Sequence, residues 1–171
     1  LGGPVLLTQP GALPAATKTG IQRLNPTEIV VLGGTAAVST AVANELATIA
    51  TVRRIQGANR YETARNIVDD AFTTAPTVYL ATGQNFPDAL GGGNAGASSL
   101  NPVVLVNGQL GSVDAATLSL LDDLGTTTIK ILGGTSVVSP GIQTQLGNLG
   151  FTVTRLSGAD RYATSIAINQ D

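Results

Sequence analysis

The residue types in this chain that could do chemistry are arginines, tyrosines and a few carboxylates. The 171 residues include no Cys and no His, which excludes a thiolate nucleophile, a Ser-His-Asp triad and a zinc site of the usual ligands. A carboxylate pair such as Asp88 and Asp122 could perform acid/base work, but nothing in their spacing brings the two together. We therefore expect no catalytic residue, no metal site and no cofactor.

Most of the arginines lie in or beside a block that occurs twice, Gly-Ala-Asn-Arg-Tyr at 57–61 and Gly-Ala-Asp-Arg-Tyr at 158–162. The net charge of the chain is −2, so these arginines are local cationic groups on an acidic protein. A guanidinium matches two oxygens of a phosphate or a carboxylate at once. Arg60 and Arg161 are therefore predicted either to bind an anionic ligand or to pair with carboxylates such as Asp88 and fasten neighbouring units together.

The tyrosine after each arginine and two Gly-Gly-Thr segments complete the candidate site. Tyr61 and Tyr162 could stack on a sugar; the alternative is packing between helix and sheet with a hydrogen-bonded hydroxyl. Each Gly-Gly-Thr segment follows an apolar strand and precedes a helix, a position where backbone N–H groups can bind phosphate. The alternative there is a tight turn that needs glycine for a positive φ. The residues concerned are Gly33, Gly34, Thr35, Gly133, Gly134 and Thr135.

An internal duplication places these residues in the chain. Three segments return after about one hundred residues, a distance that fits a duplicated domain rather than a solenoid repeat. In the order of the first copy they are 4–7 with 102–105, 31–39 with 131–139, and 54–64 with 155–165.

Short apolar segments alternate with helical patterns along the chain. The apolar residues after Ser39 and after Ser139 recur at the spacing that is typical of a helix. Each serine fits the N-cap of its helix, and Gly150 fits the end of the second one. Asn59 and Asp160 are predicted N-caps at the strand-to-helix junction of each arginine block. The predicted strands are 5–8, 29–32, 52–55, 78–81, 103–106, 129–132 and 153–156.

Strands separated by helices of about 10 to 15 residues predict right-handed βαβ units, parallel sheets and a three-layer α/β fold. We expect these units in tandem, one complete and two partial. Residues 1–59 would be the rear part of one repeat, 60–158 a complete repeat with four strands and four helices, and 159–171 the first helix of a further repeat. Because these boundaries fall within folded units, we expect the chain to belong to a longer array. Its partial units would dock against further repeats of the parent protein or of neighbouring chains.

The composition of the chain bears on its location and partners. Few lysines, many Thr, Ala and Gly residues, and no Cys or Met favour a secreted bacterial surface protein. The acidic balance gives no electrostatic reason to bind nucleic acid. The chain contains no run of about 18 apolar residues, which a membrane-spanning helix needs. It also contains no basic segment that leads into an apolar stretch, which a signal peptide has. We expect an extracellular protein that binds neither nucleic acid nor membrane.

Four motifs resemble the cell wall binding repeat 2 family. They are Pro-Val-Leu-Leu-Thr at 4–8, the turn Leu-Gly-Gly-Thr-x-x-Val-Ser, the block Arg-x-x-Gly-Ala-Asn/Asp-Arg-Tyr-x-Thr-Ala/Ser, and Asn-Phe-Pro-Asp-Ala-Leu at 85–90. Members of that family usually carry three such repeats beside an effector domain on Gram-positive surfaces. The resemblance implies Rossmann-like units around a pseudo-threefold axis that anchor the protein, without catalysis, to an anionic, teichoic-acid-like cell wall polymer.

Two functions from different classes follow. In the first, the chain is a wall-binding module whose polymer-binding residues are the two arginines, the two tyrosines, the two Gly-Gly-Thr segments and Asp88. In the second, it is a structural subunit of a surface layer (S-layer) or an extracellular fibre, assembled through its incomplete repeats. Ionic strength discriminates between them, because binding through arginine weakens with salt and apolar docking does not.

Overall fold

The structure is a computed structural model, and it describes residues 3–85, 89, 92–93, 96 and 100–171. Strands and helices alternate through most of the described residues, and every strand pairing found there is parallel. The chain divides into two compact units between Ile67 and Val68. Within the described ranges, no helix is long and apolar enough to cross a membrane. The sequence Asn-Phe-Pro-Asp-Ala-Leu at 85–90 predicts a helix that starts at Pro87, and Pro87 lies outside these ranges.

Unit 1 is a two-stranded parallel sheet with its helices. Its sheet joins β1 to β2 with Glu28 opposite Thr51 at one end and Leu32 opposite Ile55 at the other. The buried core of this unit contains Ile21, Val31, Val38, Val42 and Leu46. Its elements are α1 (Ala15–Leu24), β1 (Glu28–Leu32), α2 (Thr40–Leu46), β2 (Thr51–Ile55) and the first part of α3 (Arg60–Ala71).

Unit 2 contains a four-stranded parallel sheet. After the end of α3, its elements are β3 (Thr77–Thr82), β4 (Val103–Val106), α4 (Ala115–Asp123), β5 (Thr128–Leu132), α5 (Pro140–Asn148), β6 (Thr152–Leu156) and α6 (Arg161–Asn169). The strand order is β4-β3-β5-β6. Val78 and Leu80 of β3 belong to one buried cluster and Tyr79 and Ala81 to another. Because successive side chains of a strand point to opposite faces, both faces of this sheet are buried.

The duplication in the sequence is repeated in the structure. Helices α2 and α5 follow the same kind of N-cap, since Ser39 Oγ accepts from the N–H of Val42 at 3.3 Å and Ser139 Oγ from that of Ile142 at 3.4 Å. Gly150, just beyond α5, has a φ of 95°, a conformation that favours glycine at a helix end. These cap predictions are confirmed.

Six of the seven predicted strands are confirmed to within one residue at each end. The prediction of a strand at 5–8 is wrong for this structure. The equivalent segment in unit 2 is β4, which pairs with β3. Residues 5–8 pair with no other strand in the described part of the chain, and an extended segment becomes a strand only through its ladder of hydrogen bonds.

Candidate functional site

The candidate residues collect at the carboxyl ends of the strands, the edge of an open α/β sheet where ligands usually bind. Leu32 pairs with Ile55 at the ends of β1 and β2, so residues 33–35 and 60–61 follow neighbouring strand ends. The ends of β5 and β6 pair in the same way, which places 133–135 and 161–162 together. The structure thus contains two equivalent clusters, one in each unit. Asp88, the remaining predicted site residue, lies outside the described residues.

Both arginine blocks are strand-to-helix junctions, as predicted. Asn59 Oδ1 accepts a hydrogen bond from the N–H of Glu62 at 3.0 Å, and Asp160 Oδ1 accepts one from the N–H of Ala163 at 2.8 Å. Each side chain satisfies a backbone donor that the first turn of a helix leaves unpaired. The arginine after each cap is the first residue of its helix.

The glycine and the threonine of each block hold the junction closed. The N–H of Gly57 donates to Thr63 Oγ1 at 2.9 Å, and the N–H of Gly158 donates to Thr164 Oγ1 at 2.9 Å. A Cβ at Gly57 would lie 2.6 Å from the Cβ of Glu62, closer than two non-bonded carbon atoms can approach. The fold therefore requires glycine at this position of the motif, and the threonine supplies the hydrogen bond that closes the junction.

The Gly-Gly-Thr segments are tight turns, and the N–H of the first glycine in each forms a hydrogen bond at the edge of the sheet. Gly33 and Gly133 both have a φ of 100°, which confirms the predicted need for glycine. The N–H of Gly33 donates to the carbonyl of Ile55 at 2.8 Å, and that of Gly133 to the carbonyl of Leu156 at 2.9 Å. These two N–H groups are not available to a phosphate. Thr35, two residues after Gly33, is exposed.

Two arginines of the cluster have a structural role that the sequence did not indicate. Arg54 Nη1 donates to the carbonyl of Gly33 at 2.6 Å, and its Nη2 donates to the carbonyl of Val38 at 2.8 Å. In unit 2, Arg155 Nη1 donates to the carbonyl of Gly133 at 2.8 Å. Burial lowers the pKa of the Arg155 guanidinium from its ordinary value. Both arginines close the turn after the neighbouring strand, and the Nη2 of Arg155 is buried there without a hydrogen-bond partner among the described residues.

Arg60 and Arg161 face solvent at the start of their helices. Tyr162 is 75% exposed, so the alternative in which it packs between helix and sheet is wrong for unit 2. Tyr61 is half-buried. Each cluster thus offers an exposed guanidinium next to an aromatic ring at the N-terminal end of a helix, where the helix dipole favours anions.

Three polar residues at the same edge of unit 2 were missed in the sequence. Gln84 Nε2 donates to Asn107 Oδ1 at 2.8 Å, and Gln109 Nε2 donates to the carbonyl of Ser136 at 2.9 Å. Gln84 follows β3, and the other two follow β4. The dipeptide Asn107-Gly108 directly after a predicted strand was the available signal, since it marks a turn.

Comparisons with known proteins agree with the geometry. The family model described as Cell wall binding domain 2 (CWB2) matches residues 54–143. The N-acetylmuramoyl-L-alanine amidase LytC of Bacillus subtilis (strain 168) is 30% identical over 98% of this chain, which covers 32% of that protein. The amidase enhancer of the same organism is 32% identical over 95% of this chain, which covers 21% of it. The chain therefore spans less than a third of these relatives.

Two solved structures share the fold over nearly the whole chain. Cwp6 from Clostridium difficile superposes with a TM-score of 0.88 at 27% identity, over 98% of this chain and 27% of that one. Cwp8 from the same organism gives a TM-score of 0.84 at 25% identity, over 96% and 28%. The expected tandem α/β architecture is confirmed. The chain belongs to the cell wall binding domain 2 family, a family of binding domains, and its place is outside the cell, at the cell wall or cell surface.

Proposed function

We propose that this chain is a non-catalytic module that anchors a protein to the cell wall by binding an anionic, teichoic-acid-like polymer at the two carboxyl-edge clusters. Arg60 and Arg161 would contact anionic groups of the polymer, and Tyr61 and Tyr162 would contact its sugars or alkyl segments. The observation that carries the proposal is the presence of two equivalent, exposed guanidinium groups at helix starts on an otherwise acidic chain.

The duplication suits a polymeric ligand. A repeating polymer presents the same anionic group many times, so two weak sites in one chain can bind it together. Such linkage raises the overall affinity well above that of one site without any new contact. Each exposed ion pair on its own contributes about 1 kcal/mol or less, which is why we expect neither site alone to be sufficient.

Anchoring without catalysis is consistent with the residues at hand. Within the described residues, no group of three or more His, Cys, Asp or Glu side chains could hold a metal ion. The relative named as an amidase is covered by this chain over only 32% of its length. We therefore do not propose amidase activity for this chain.

The test is binding of the chain to purified anionic wall polymer with the double variant Arg60→Ala and Arg161→Ala. We expect the affinity to fall about tenfold, from two lost contacts of about 0.7 kcal/mol each. The matched control is Arg23→Ala with Arg53→Ala, which removes the same charge elsewhere. Arg23 lies in the last turn of α1, and Arg53 pairs with Glu28 at 2.9 Å.

Circular dichroism and thermal unfolding accompany both variants. If the site variant binds normally but unfolds at a lower temperature, the arginines fasten the fold and the proposed role is wrong. If the control variant loses affinity equally, binding depends on net charge and the assignment to the clusters is wrong. The second candidate function, a structural subunit, predicts instead a self-association that salt does not weaken, since apolar docking is not screened.

A further inference from the structure

A cluster of uncharged polar groups lies at the carboxyl edge of unit 2, beside the arginine and tyrosine of that unit. Gln84 follows β3, Asn107 and Gln109 follow β4, and Ser136 lies in the turn after β5. Hydrogen bonds join these residues to one another. We call the four residues the amide cluster. The polymer contacts proposed above involve none of them.

The loop after β4, which carries half of the cluster, is fixed against the start of α5. The N–H of Ser139 donates to the carbonyl of Gly108 at 2.8 Å, and Ser139 Oγ donates to the carbonyl of Leu110 at 2.5 Å. A Cβ at Gly108 would overlap the carbonyl oxygen of Val137, so the loop and the turn after β5 are in close contact. The amide cluster is therefore largely preformed, which lowers the entropy lost on binding a ligand.

The amides of the cluster keep donors and acceptors that the fold does not use. Gln84 Nε2 and the backbone N–H of Gln109 both donate to Asn107 Oδ1, at 2.8 and 3.3 Å. Among the described residues, the Nδ2 group of Asn107 and the Oε1 atoms of the two glutamines have no hydrogen-bond partner. Both glutamines are exposed and Asn107 is half-buried. A ligand at this edge would therefore meet a donor group with acceptors beside it.

Leu110 adds an apolar contact to the same surface. It directly follows Gln109 and is 53% exposed. Its N–H donates to the carbonyl of Asn107 at 3.2 Å, which closes residues 107–110 as a turn. The loop thus presents an aliphatic side chain next to the amide groups.

The equivalent loop of unit 1 lacks these side chains. The N–H of Ser39 donates to the carbonyl of Pro10 at 2.8 Å, as its counterpart does in unit 2, and this contact aligns the two loops. The residues after Pro10 are Gly11 and Ala12, where unit 2 has a glutamine and a leucine. Because the loop is anchored to the helix start without them, this contact does not explain their presence in unit 2.

We propose that the amide cluster and Leu110 bind the acetamido group of an uncharged, N-acetylated sugar. An acetamido group has one N–H donor, one carbonyl acceptor and one methyl group. The Oε1 atoms of the glutamines accept from the N–H, the Nδ2 group of Asn107 donates to the carbonyl, and Leu110 contacts the methyl group. No residue of the cluster carries a charge, so recognition depends on the matching of donors and acceptors.

This site is continuous with the residues proposed to bind anionic groups. The N–H of Gly133 donates to the carbonyl of Leu156 at the end of β6, and the carbonyl of Ser136 accepts from Gln109, both at 2.9 Å. The turn after β5 therefore connects the cluster to the strand that leads to Arg161. The strand order places β4 three positions from β6, about 14 Å at a strand spacing of about 4.8 Å.

One stretch of polymer could span this distance, with an anionic group at Arg161 and an N-acetylated sugar at the amide cluster. In this respect the proposal rests on the proposed function, which assigns the anionic contact to Arg161.

The test compares two uncharged pentasaccharides, one of N-acetylglucosamine and one of glucose. NMR follows the side-chain amide signals of Gln84, Asn107 and Gln109. We expect the N-acetylated oligomer to shift these signals and to bind about tenfold more tightly than the glucose oligomer. Leu110→Ser should reduce this preference about threefold, because it removes the contact with the methyl group.

The amide variant carries Gln84→Ala with Gln109→Ala, and we expect it to bind the N-acetylated oligomer about tenfold more weakly. The matched control is Gln22→Ala with Gln170→Ala, which removes two exposed glutamines at the C-terminal ends of α1 and α6. Gln84→Ala is also made alone, because this side chain bonds only to Asn107 in the described structure. It should bind about threefold more weakly. Thermal unfolding accompanies every variant.

Purified wall polymer and peptidoglycan freed of that polymer distinguish the sources of the sugar. If the amide variant loses affinity for the polymer, the sugar belongs to the polymer. The loss should then be the same at low and high ionic strength, because hydrogen bonds between neutral groups are not screened. If it loses affinity for peptidoglycan instead, the sugar belongs to the glycan strands. Both results support an acetamido site.

Three results overturn the proposal: equal binding of the two oligomers, an amide variant and Gln84→Ala that both bind like the unsubstituted chain, or a control variant as weak as the amide variant. The proposed function fails separately. If Arg60→Ala with Arg161→Ala keeps its affinity for the polymer while the N-acetylated oligomer still shifts the amide signals, the arginine assignment is wrong and the acetamido site stands.

Discussion

The N–H of Gly158 donates to the hydroxyl of Thr164 at 2.9 Å, six residues ahead of it and across the start of α6. The same contact joins Gly57 to Thr63 at 2.9 Å in unit 1. The hydrogen bond draws the strand end against the first helical turn and leaves no room for a side chain on the glycine. The conserved geometry of the two junctions therefore depends on a residue without Cβ.

Replacing Gly158 with alanine should destabilise unit 2. A Cβ there would lie 2.8 Å from the backbone nitrogen of Thr164, and such overpacking costs about 1–3 kcal/mol. Urea unfolding measures the change. Gly147→Ala is the matched control, because Gly147 lies on α5 with open space around it, and alanine there should stabilise the helix by up to about 1 kcal/mol. Equal effects of the two variants would contradict the steric argument.

The N-cap of α6 should tolerate one substitution and not another. Asp160→Ala removes the acceptor for the N–H of Ala163, which lies 2.8 Å away, and should lower the free energy of unfolding by about 1 kcal/mol. Asp160→Asn should change it by only a few tenths of a kcal/mol, because Asn59 performs the same task in unit 1. Thermal unfolding of the two variants side by side checks the prediction. A loss with Asn as large as with Ala would show that charge, not capping, is what matters.

Arg54→Lys should destabilise unit 1 although the charge is kept. The guanidinium of Arg54 donates to the carbonyls of Gly33 and Val38 at the same time, and a single ammonium cannot reproduce this fork. We expect a loss of about 1–3 kcal/mol, measured by amide exchange in unit 1. Arg53→Lys, at a partly exposed ion pair with Glu28, should cost less than about 0.5 kcal/mol. If both variants are neutral, the turn does not depend on the guanidinium.

The stability of unit 2 should depend on pH through Asp171. Burial raises the pKa of this carboxyl, but hydrogen bonds from Lys130 at 2.6 Å and Tyr79 at 2.8 Å, with the charge of Lys130, outweigh it and hold the pKa below its ordinary value of 3.8. Because the folded-state pKa is lowered, the ionised carboxylate stabilises the fold at a pH above the unfolded-state pKa. This stabilisation is lost as the pH falls through the folded-state pKa.

Asp171→Asn should therefore lower the melting temperature at neutral pH, with a contribution of about 1 kcal/mol or less. The difference from the unsubstituted chain should shrink as pH falls below about 4. Melting curves across this range test it. In a Lys130→Met background the substitution should lower the melting temperature less, because only the hydrogen bond from Tyr79 remains, and an undiminished difference there would contradict the pairing.

The strands and caps could be predicted from the sequence because their signals are local. Apolar segments of Val, Ile and Leu gave six strands, and Ser39, Ser139 and Asp160 gave helix starts that the structure confirms. The segment 5–8 has the same apolar pattern and was wrongly predicted as a strand. Strand formation depends on a partner elsewhere in space, and no property of the segment itself reports whether that partner is present.

The candidate site was predictable in its position and less so in its chemistry. Alternation of strands and helices placed the duplicated blocks at one edge of each sheet. The sequence did not separate Arg54 and Arg155, which bind backbone carbonyls, from Arg60 and Arg161, which are exposed. Every residue has a backbone carbonyl, so the sequence does not indicate which carbonyl accepts a hydrogen bond from an arginine. Such a contact can be found only once the chain is folded.

The closed junctions change what a match to this motif says about any other protein. Glycine, the cap residue and threonine recur in both copies because they stabilise the turn, so a match on these letters reports an architecture. Under the proposed function, preference for one polymer over another would reside in exposed residues of the block, such as Arg60 and Arg161. Two proteins that share the glycine, the cap and the threonine of the turn but differ at these exposed positions would then bind different polymers.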